Sequence, residues 1–406
     1  ISVSVAPYVA TAPLLWGAFN QVSIISMVAN LLILHAVEWT VLLGFWSSLV
    51  GGVSYALARF LNSGCYILIQ WIELVMNLLR QLPNIQINLK SPPWIIIILL
   101  YGTVGWGLNQ YQKGRSSLLF KVIGGWVLVG GISMVIGLMI ERPLVLTLLD
   151  VGQGDAILIE TPNGKTVVID AGNKQVDFRT GKVLFDMGDR VVLPALKSKG
   201  INHVDLLIVS HFDQDHVGGV PSVLSQMNIG AVLDSGRYGQ APESYLSSIK
   251  RHKISHVMLQ KGQVIQLEKN ITLRVLYPPS GIGELSKNNA SLVMILSYGE
   301  VDILLTGDLE ATGEDQLILQ YGDQLDVEVL KVGHHGSKTS TSAHFLSKVS
   351  PQIALISVGK HNRYGHPSQS VLGRLQASSV TVYRTDEFGA IEVHTDGSEI
   401  WVYKGR

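Results

Sequence analysis

The sequence predicts an α-helical transmembrane region over residues 1–140, followed by an α/β domain over 141–406. Three observations predict it. Charge is unevenly spread: the chain is 47% hydrophobic and only 15% charged, and residues 1–140 hold just six Lys/Arg and two acids. The rest carries twenty-five basic and twenty-nine acidic residues, a net charge of about −4. Periodicity changes too. Long uncharged runs, as membrane helices need, give way after Pro143 to short apolar runs bounded by Gly, Asp and Asn, as strands are. Finally, those short runs end in clusters of His and Asp.

In the first region, residues 3–19 are apolar and contain Pro7 and Pro13. Residues 22–58 are too long for one span of about 20 residues, and divide into a broken or re-entrant piece (24–34) and a span (36–56). Asn30 and His35 at membrane depth imply a cavity or a helix neighbour rather than lipid. Residues 65–82 carry Glu73 and Arg80 and fit either a pore-lining span or an amphipathic surface helix. Residues 83–93 read as a loop, 94–108 as a short apolar segment, and 118–140 as a full span. Lys113 and Arg115 precede that span and Lys121 lies in its first turn, which puts this basic end in the cytoplasm and residue 141 onward outside. The chain starts inside an apolar stretch with no charged segment before it, unlike a signal peptide, and reads as truncated at its N-terminus. Its one cysteine, Cys65, excludes an intrachain disulfide framework.

In the second region, residues 144–150 and 156–160 read as strands, and 166–169 as a hairpin partner across the turn Thr161-Pro162-Asn163-Gly164. Residues 191–200 read as a helix ending at glycine. Strands at 206–209, 231–234, 257–260, 271–277, 292–298, 301–305, 326–332, 353–358, 380–383 and 390–393 follow, with a helix at 220–227. Several of these strands end in a polar knot, so the site is expected along one sheet edge.

The densest knot is in LLIVSHFDQDHVGG, residues 206–219. His211, Asp213, Asp215 and His216 fall within six positions. A polar loop is the plain alternative, but four such groups after a buried strand are costly unless a cation holds them together. Gly218 and Gly219 imply a tight turn or a close backbone approach. Asp170, Asp308, His334 and His335 end other strands. These residue types coordinate first-row divalent ions.

The motifs VVIDAG, HFDQDH, LLTGD and KVGHHG, in this order, resemble the metallo-β-lactamase superfamily from Leu144 to the C-terminus. The resemblance implies an αββα sandwich and a metal-dependent hydrolase. The chain departs from the pattern twice: Asp213 stands where a second His is usual, and Asn288-Asn289-Ala290-Ser291 occupies the stretch of a third-motif His. The longer stretches LDVGQGDAILIETPNGKTVVIDAG, SHFDQDHVGG, NNASLVMIL, LLTGDLE, KVGHHGSKTS and SVGKHNRYGHPS are similar to the ComEC family of bacterial competence DNA-uptake channels. That implies a multi-pass protein of the inner (cytoplasmic) membrane that passes single-stranded DNA, works with other competence components, and carries its nuclease domain on the extracytoplasmic side.

Carried onto this sequence, the resemblance assigns His211 and Asp213 to one ion and Asp215 and His216 to a second. Asp308 bridges them and His335 completes the second site. Asp215, His334 and His366 are the catalytic candidates, with His334 and His335 exchangeable in role. Asp170, Asp155 and Asn289 are expected behind the ligands, holding them in orientation, although turn roles suit Asp170 and Asp155 as well. Lys331, Ser337, Lys338 and Arg363 are candidates for phosphate contact, against plain solvated roles for most of them. One or two ions are expected. Manganese is favoured over zinc, because both departures exchange imidazole nitrogen for oxygen. Two other readings stand beside the nuclease: a membrane-tethered hydrolase of another phosphodiester or ester, and a transporter whose hydrolase domain is degenerate. The acidic balance of the domain does not favour DNA by itself.

Overall fold

The computed structural model describes residues 2–23, 25–80, 86–139, 142–177, 179–236, 241–279 and 285–405. Residues 140 and 141, where the class of structure was expected to change, lie outside the described residues, as do residue 24 and residues 82–85 at the ends of expected segments. The chain forms two compact units, Ile1–Ile136 with Leu196–Asn202, and Gly137–Ala195 with His203–Arg406.

The first unit contains five described helices: Ser2–Phe19, Ile25–Gly51, Tyr55–Arg80, Trp94–Gln112 and Ser116–Met139. The break expected near residue 35 is absent. Neither Gly nor Pro occurs from Ile25 to Leu43, so nothing interrupts the hydrogen-bond ladder until Gly51-Gly52 ends it. The resulting helix is about 40 Å long at 1.5 Å per residue. His35 meets Glu38 one turn along the same helix, at 3.2 Å, and both are exposed. Ile25–Gly51 and Tyr55–Arg80 form a hairpin. Ser47 Oγ donates to Ala58 O (3.0 Å), Cys65 Sγ to Thr40 O (3.5 Å) and Trp71 Nε1 to Leu32 O (3.3 Å). On Tyr55–Arg80 the polar residues Arg59, Asn62, Gln70, Glu73 and Asn77 recur at helical spacing, which makes this helix amphipathic. Among the described residues, two helical stretches are long and apolar enough to cross a membrane, Val28–Gly51 and Ser116–Ser133. The expected loop at 83–93 includes a short strand, Gln86–Asn88, antiparallel to Gln21–Ser23.

The second unit is a sandwich of two sheets. The eight-stranded sheet runs Ser255–Met258, Asn228–Asp234, His203–Ile208, Thr166–Ile169, Ile157–Glu160, Leu144–Leu148, Ile391–Thr395, Ile400–Lys404. The seven-stranded sheet runs Val264–Glu268, Ile271–Tyr277, Val293–Tyr298, Val301–Leu305, Val329–Lys331, Ile353–Ile356, Thr381–Arg384. Alternation sorts their side chains. Leu146, Leu148, Ile157 and Ile159 from one sheet meet Leu273, Val275, Leu296 and Ile303 from the other in a shared core. On the outer face of the second sheet, Ile295, Leu304 and Leu330 pack with Leu317, Phe345 and Leu375 from helices Ala311–Tyr321, Ala343–Val349 and Gln369–Ala377. Each fully buried Leu or Ile contributes about 1.5–3 kcal/mol. The last two helices are capped by Ser342 and Ser368, whose hydroxyls accept from Phe345 N and Val371 N.

Strands Thr166–Ile169 and His203–Ile208 are parallel neighbours in the first sheet, and Val301–Leu305, Val329–Lys331 and Ile353–Ile356 in the second. Their C-terminal ends deliver the polar knots to one edge. Sequence reasoning missed the strands Lys174–Val176, Val183–Asp186, Val264–Glu268 and Ile400–Lys404, which mix charged with apolar residues. The helix expected at 191–200 is a π turn, Gly188–Val192, followed by Leu193–Ser198, with Pro194 at the new start.

Candidate metal centre

The centre is set by how the chain leaves its strands. Asp170 follows Thr166–Ile169 in a left-handed conformation, φ 60°. Its Oδ1 accepts from Ser210 N (2.8 Å), and its Oδ2 meets Ser210 Oγ (2.5 Å) and His216 Nδ1 (2.8 Å). The turn Gln214–Val217 then presents His216, with Nε2 3.3 Å from Asp308 Oδ1. Gly219 makes the close approach its position suggested: a Cβ there would lie 2.2 Å from Ala171 O. Gly154, at φ +125°, brings the 151–155 loop against the backbone of Asp215, where a Cβ would lie 2.1 Å from its carbonyl oxygen. Only glycine fits at either place.

On the second sheet, Asp308 follows Val301–Leu305 and its N–H donates to Ser291 Oγ (3.1 Å). His334 and His335 both adopt positive φ, 49° and 54°, a costly geometry for two consecutive non-glycine residues. His335 Nδ1 lies 3.0 Å from Ser357 O and 3.4 Å from Asp155 Oδ1. Its Nε2 lies 3.4 Å from both Asp215 Oδ2 and Asp308 Oδ2.

Five atoms at this edge are buried and make no hydrogen bond: Nε2 of His211, His216 and His335, Oδ1 of Asp308 and Oδ1 of Asp155. Leaving such groups bare costs on the order of 1–3 kcal/mol each, more when charged. Ligand atoms of His211, His216 and Asp308 lie within 4.8 Å of one another, as do those of Asp215, His216 and His335, and those of Asp155, Asp308 and His335. A divalent ion satisfies such a set, and the residues fit one in number, type and spacing. Their protonation reflects crowding. Burial opposes charge on His216, but Asp308 and Asp170 raise its pKa well above the ordinary value. Burial likewise opposes charge on His335, and Asp308, Asp155 and Asp215 outweigh it. Burial and the charge of His216 push His211 down to about 3. Burial raises Asp215, yet the His335 imidazole 3.4 Å away and the charge of His216 bring it to about 2. Asp308, buried between His335 and His216, is held well below the carboxylate range.

The structure brings His211, Asp215, His216, Asp308 and His335 together, with Asp170 and Asp155 behind them. Asp213 stands apart, one third exposed: Oδ1 is 3.3 Å from Lys287 Nζ and Oδ2 is 3.9 Å from His211 Nε2. Lys331 is a correction. It is not free to meet a substrate, because it is 1% exposed, pairs with Asp155 and donates to Gly307 O at 3.0 Å. Ser337 is a second correction, since its buried hydroxyl is spent on Thr339 Oγ1 at 3.0 Å. Asn289 touches the loop rather than a ligand, its Oδ1 accepting from Glu310 N (3.1 Å). His334 is partly exposed, 3.9 Å from Asp308 and 3.4 Å from Glu310. His366 lies 5.5 Å from His334, ring to ring, with its Nδ1 buried and unpaired and Tyr364 stacked at 5.8 Å. Lys338 and Arg363 are exposed. Sequence reasoning missed Ser210, Ser291 and Lys287. Ser210 at a strand end beside the ligand cluster was the one legible signal.

Residues 149–361, which include all the clustered groups but the C-terminal His366, match the family model of the metallo-beta-lactamase superfamily. The chain belongs to the metallo-beta-lactamase superfamily. Outside that superfamily domain, residues 1–113 match the Competence protein family model. The two matches in one chain bear out the resemblance to the competence family. ComE operon protein 3 of Bacillus subtilis (strain 168) is 31% identical over 398 residues, 96% of this chain and 51% of that protein. Competence protein ComA of Neisseria gonorrhoeae is 33% identical over 252 residues, 62% of this chain and 32% of that protein. The chain therefore spans about half or less of the length of these curated relatives. Among superfamily structures, the metallo-beta-lactamase fold protein YhfI of Bacillus subtilis is similar at 11% identity and a TM-score of 0.39, covering 65% of this chain and 100% of that one.

Proposed function

We propose that this chain is part of a competence DNA-uptake channel of the bacterial inner membrane, and that its hydrolase domain is a metal-dependent nuclease acting on incoming DNA. One observation carries the reading: a Competence-type helical region and a centre of buried, partnerless His and Asp atoms occupy the same chain. On this reading the helical unit is a multi-pass membrane region, Lys113, Arg115 and Lys121 face the cytoplasm, and the hydrolase domain lies outside. A degenerate domain has no reason to keep unsatisfied polar atoms converging at one edge. That favours a working centre over an inert one.

Asp215, His216, Asp308 and His335 would hold a divalent ion, one or two in all, with manganese favoured and zinc possible. Such an ion supplies an activated water and Lewis acidity for phosphoryl transfer. Asp170 fixes the proton on Nδ1 of His216 and so frees Nε2 for the ion. The Ser357 carbonyl, 3.0 Å from Nδ1, does the same for His335. His334 and His366, beside one another and partly exposed, are placed to give a proton to a leaving oxygen. Lys338 and Arg363 are free to meet phosphates. The test is cleavage of end-labelled single-stranded DNA by the purified full chain with and without metal. Asp215→Ala and His216→Ala should abolish cleavage and keep the fold. Hydrolysis of small esters but never of DNA would support another hydrolase, and an ion bound without any hydrolysis would support a degenerate domain. Reporter fusions after Arg406 test the topology, and activity only in the cytoplasm would overturn it.

A further inference from the structure

We infer that Lys287 fills the first half of the centre, so that this site takes one divalent ion, on Asp215, His216, Asp308 and His335. The inference rests on the reading of the centre as a metal site, not on DNA being the substrate. Its first support is Asp213. Of the four His and Asp residues in the 211–216 stretch, this carboxylate alone is absent from the clusters of ligand atoms within 4.8 Å among the described residues. It turns one oxygen to the Lys287 ammonium, 3.3 Å away, and the other toward His211 Nε2 at 3.9 Å. Among the described residues, an ammonium therefore occupies one side of the carboxylate that His211 could share with an ion outside the Asp308 cluster.

The second support is the segment that carries Lys287. It precedes the strand Val293–Tyr298 and its polar side chains are already engaged. Asn289 Oδ1 accepts from Glu310 N, Ser291 Oγ accepts from Asp308 N, and Asn288 Nδ2 lies 3.4 Å from His334 Nδ1. Two oxygens that this segment could offer as ligands, Asn289 Oδ1 and Ser291 Oγ, thus already accept backbone hydrogen bonds. What the segment offers this half of the centre is a positive charge, and a dication there would have to share Asp213 with it against their repulsion. The third support is the contrast with the other half. Asp215, His216 and His335 converge within 4.8 Å, and Asp308 lies 3.3–3.4 Å from both imidazoles. There Asp215 meets the His335 imidazole at 3.4 Å, and the Lys331 ammonium, 3.9 Å from Asp308, is paired with Asp155. Lys287 is about half exposed, 56%, so its contribution to folding is small and its effect is on occupancy.

The test counts ions. The full chain in detergent is stripped with chelator, dialysed, and titrated separately with manganese and zinc. Bound metal is measured by mass spectrometry after gel filtration, and affinity by calorimetry. One ion per chain is expected. Asp213→Asn should leave that ion's affinity unchanged. Lys287→Met, which keeps the stem and removes the charge, should admit a second ion or tighten a weak second one by roughly tenfold or more. Two ions in the unaltered chain, one of them lost in Asp213→Asn, with Lys287→Met changing nothing, would overturn the inference. No bound ion at all would overturn the metal-centre reading itself, and the inference with it.

Discussion

His216 Nδ1 lies 2.8 Å from Asp170 Oδ2, while Nε2 of the same ring lies 3.3 Å from Asp308 with no hydrogen bond of its own. The carboxylate is an acceptor, so the ring proton belongs on Nδ1 and the lone pair on Nε2 faces the centre. Asp170→Asn should reverse this, because an amide can donate to Nδ1 and leave the proton on Nε2. The expected loss is about 10–100-fold in metal affinity. Thermal stability should change little, since the amide oxygen can still accept from Ser210 N. Competition with a chromophoric chelator measures it, and unchanged affinity would make Asp170 a turn residue only.

The metal-free centre holds protons that an ion must displace. His216 and His335 have folded-state pKa values raised above about 6.5, burial being outweighed by Asp308 first and then by their other carboxylates. Their charged forms stabilise the metal-free fold below about pH 6.5, and that stability is lost as pH rises through the folded values. Asp308 and Asp215 are depressed, so their contribution is present above about pH 4 and lost as pH falls through their low values. Stripped protein should therefore melt at lower temperature as pH rises above neutrality. Metal affinity should climb over the same range, by up to about two log units per pH unit if both protons leave. Melting and calorimetric titrations from pH 5 to about 9 check both slopes. A flat affinity profile would mean that neither imidazole binds the ion.

Lys331 tests what a buried charge pair does behind the centre. It is 1% exposed, Asp155 is 3% exposed, and the two are in contact. Lys331→Met should destabilise the domain by about 3–5 kcal/mol, because the buried Asp155 carboxylate loses its ammonium partner and keeps only imidazole contacts, His335 at 3.4 Å and His216 at 3.9 Å. Adding Asp155→Asn should recover much of that loss. Urea unfolding of the single and double variants decides it. If the double variant is no more stable than the single, packing of the lysine stem is the cause instead.

The sandwich was legible because strand alternation and strand ends are local properties. Ile271–Tyr277 and Val301–Leu305 were placed to the residue, and the knots at Asp170, Asp308 and His335 follow strands as expected. The helical unit was less so. The length of residues 22–58 suggests a break near residue 35, but with no Gly or Pro nearby the backbone carries on through it. The side-chain pairings were not legible either. Lys331 read as a substrate contact because its burial comes from Gly307 and Asp155, the latter 176 positions earlier in the chain, and Lys287 went unnoticed because an exposed lysine in a loop is ordinary until Asp213 is found beside it.

Metal preference is where the structure changes the argument most. From sequence, oxygen appeared to dominate because Asp213 replaces an imidazole. With Asp213 turned toward Lys287, the better-formed half of the centre is Asp215, His216, Asp308 and His335, two nitrogens and two carboxylates. Imidazole suits zinc and carboxylate suits manganese, so the set is mixed; zinc also stands above manganese in intrinsic affinity. Tight binding and fast turnover are separate properties, however. Carboxylates that can shift between one and two contacts favour an ion that accepts more than four ligands, as manganese does and structural zinc rarely does. Manganese should therefore give the highest turnover on DNA after chelation and dialysis, even where zinc binds more tightly. Asp213→His combined with Lys287→Met should move the optimum toward zinc, by adding an imidazole and removing the competing charge. Highest turnover with zinc in the unaltered chain, and none with manganese, would show that the two carboxylates do not set the preference.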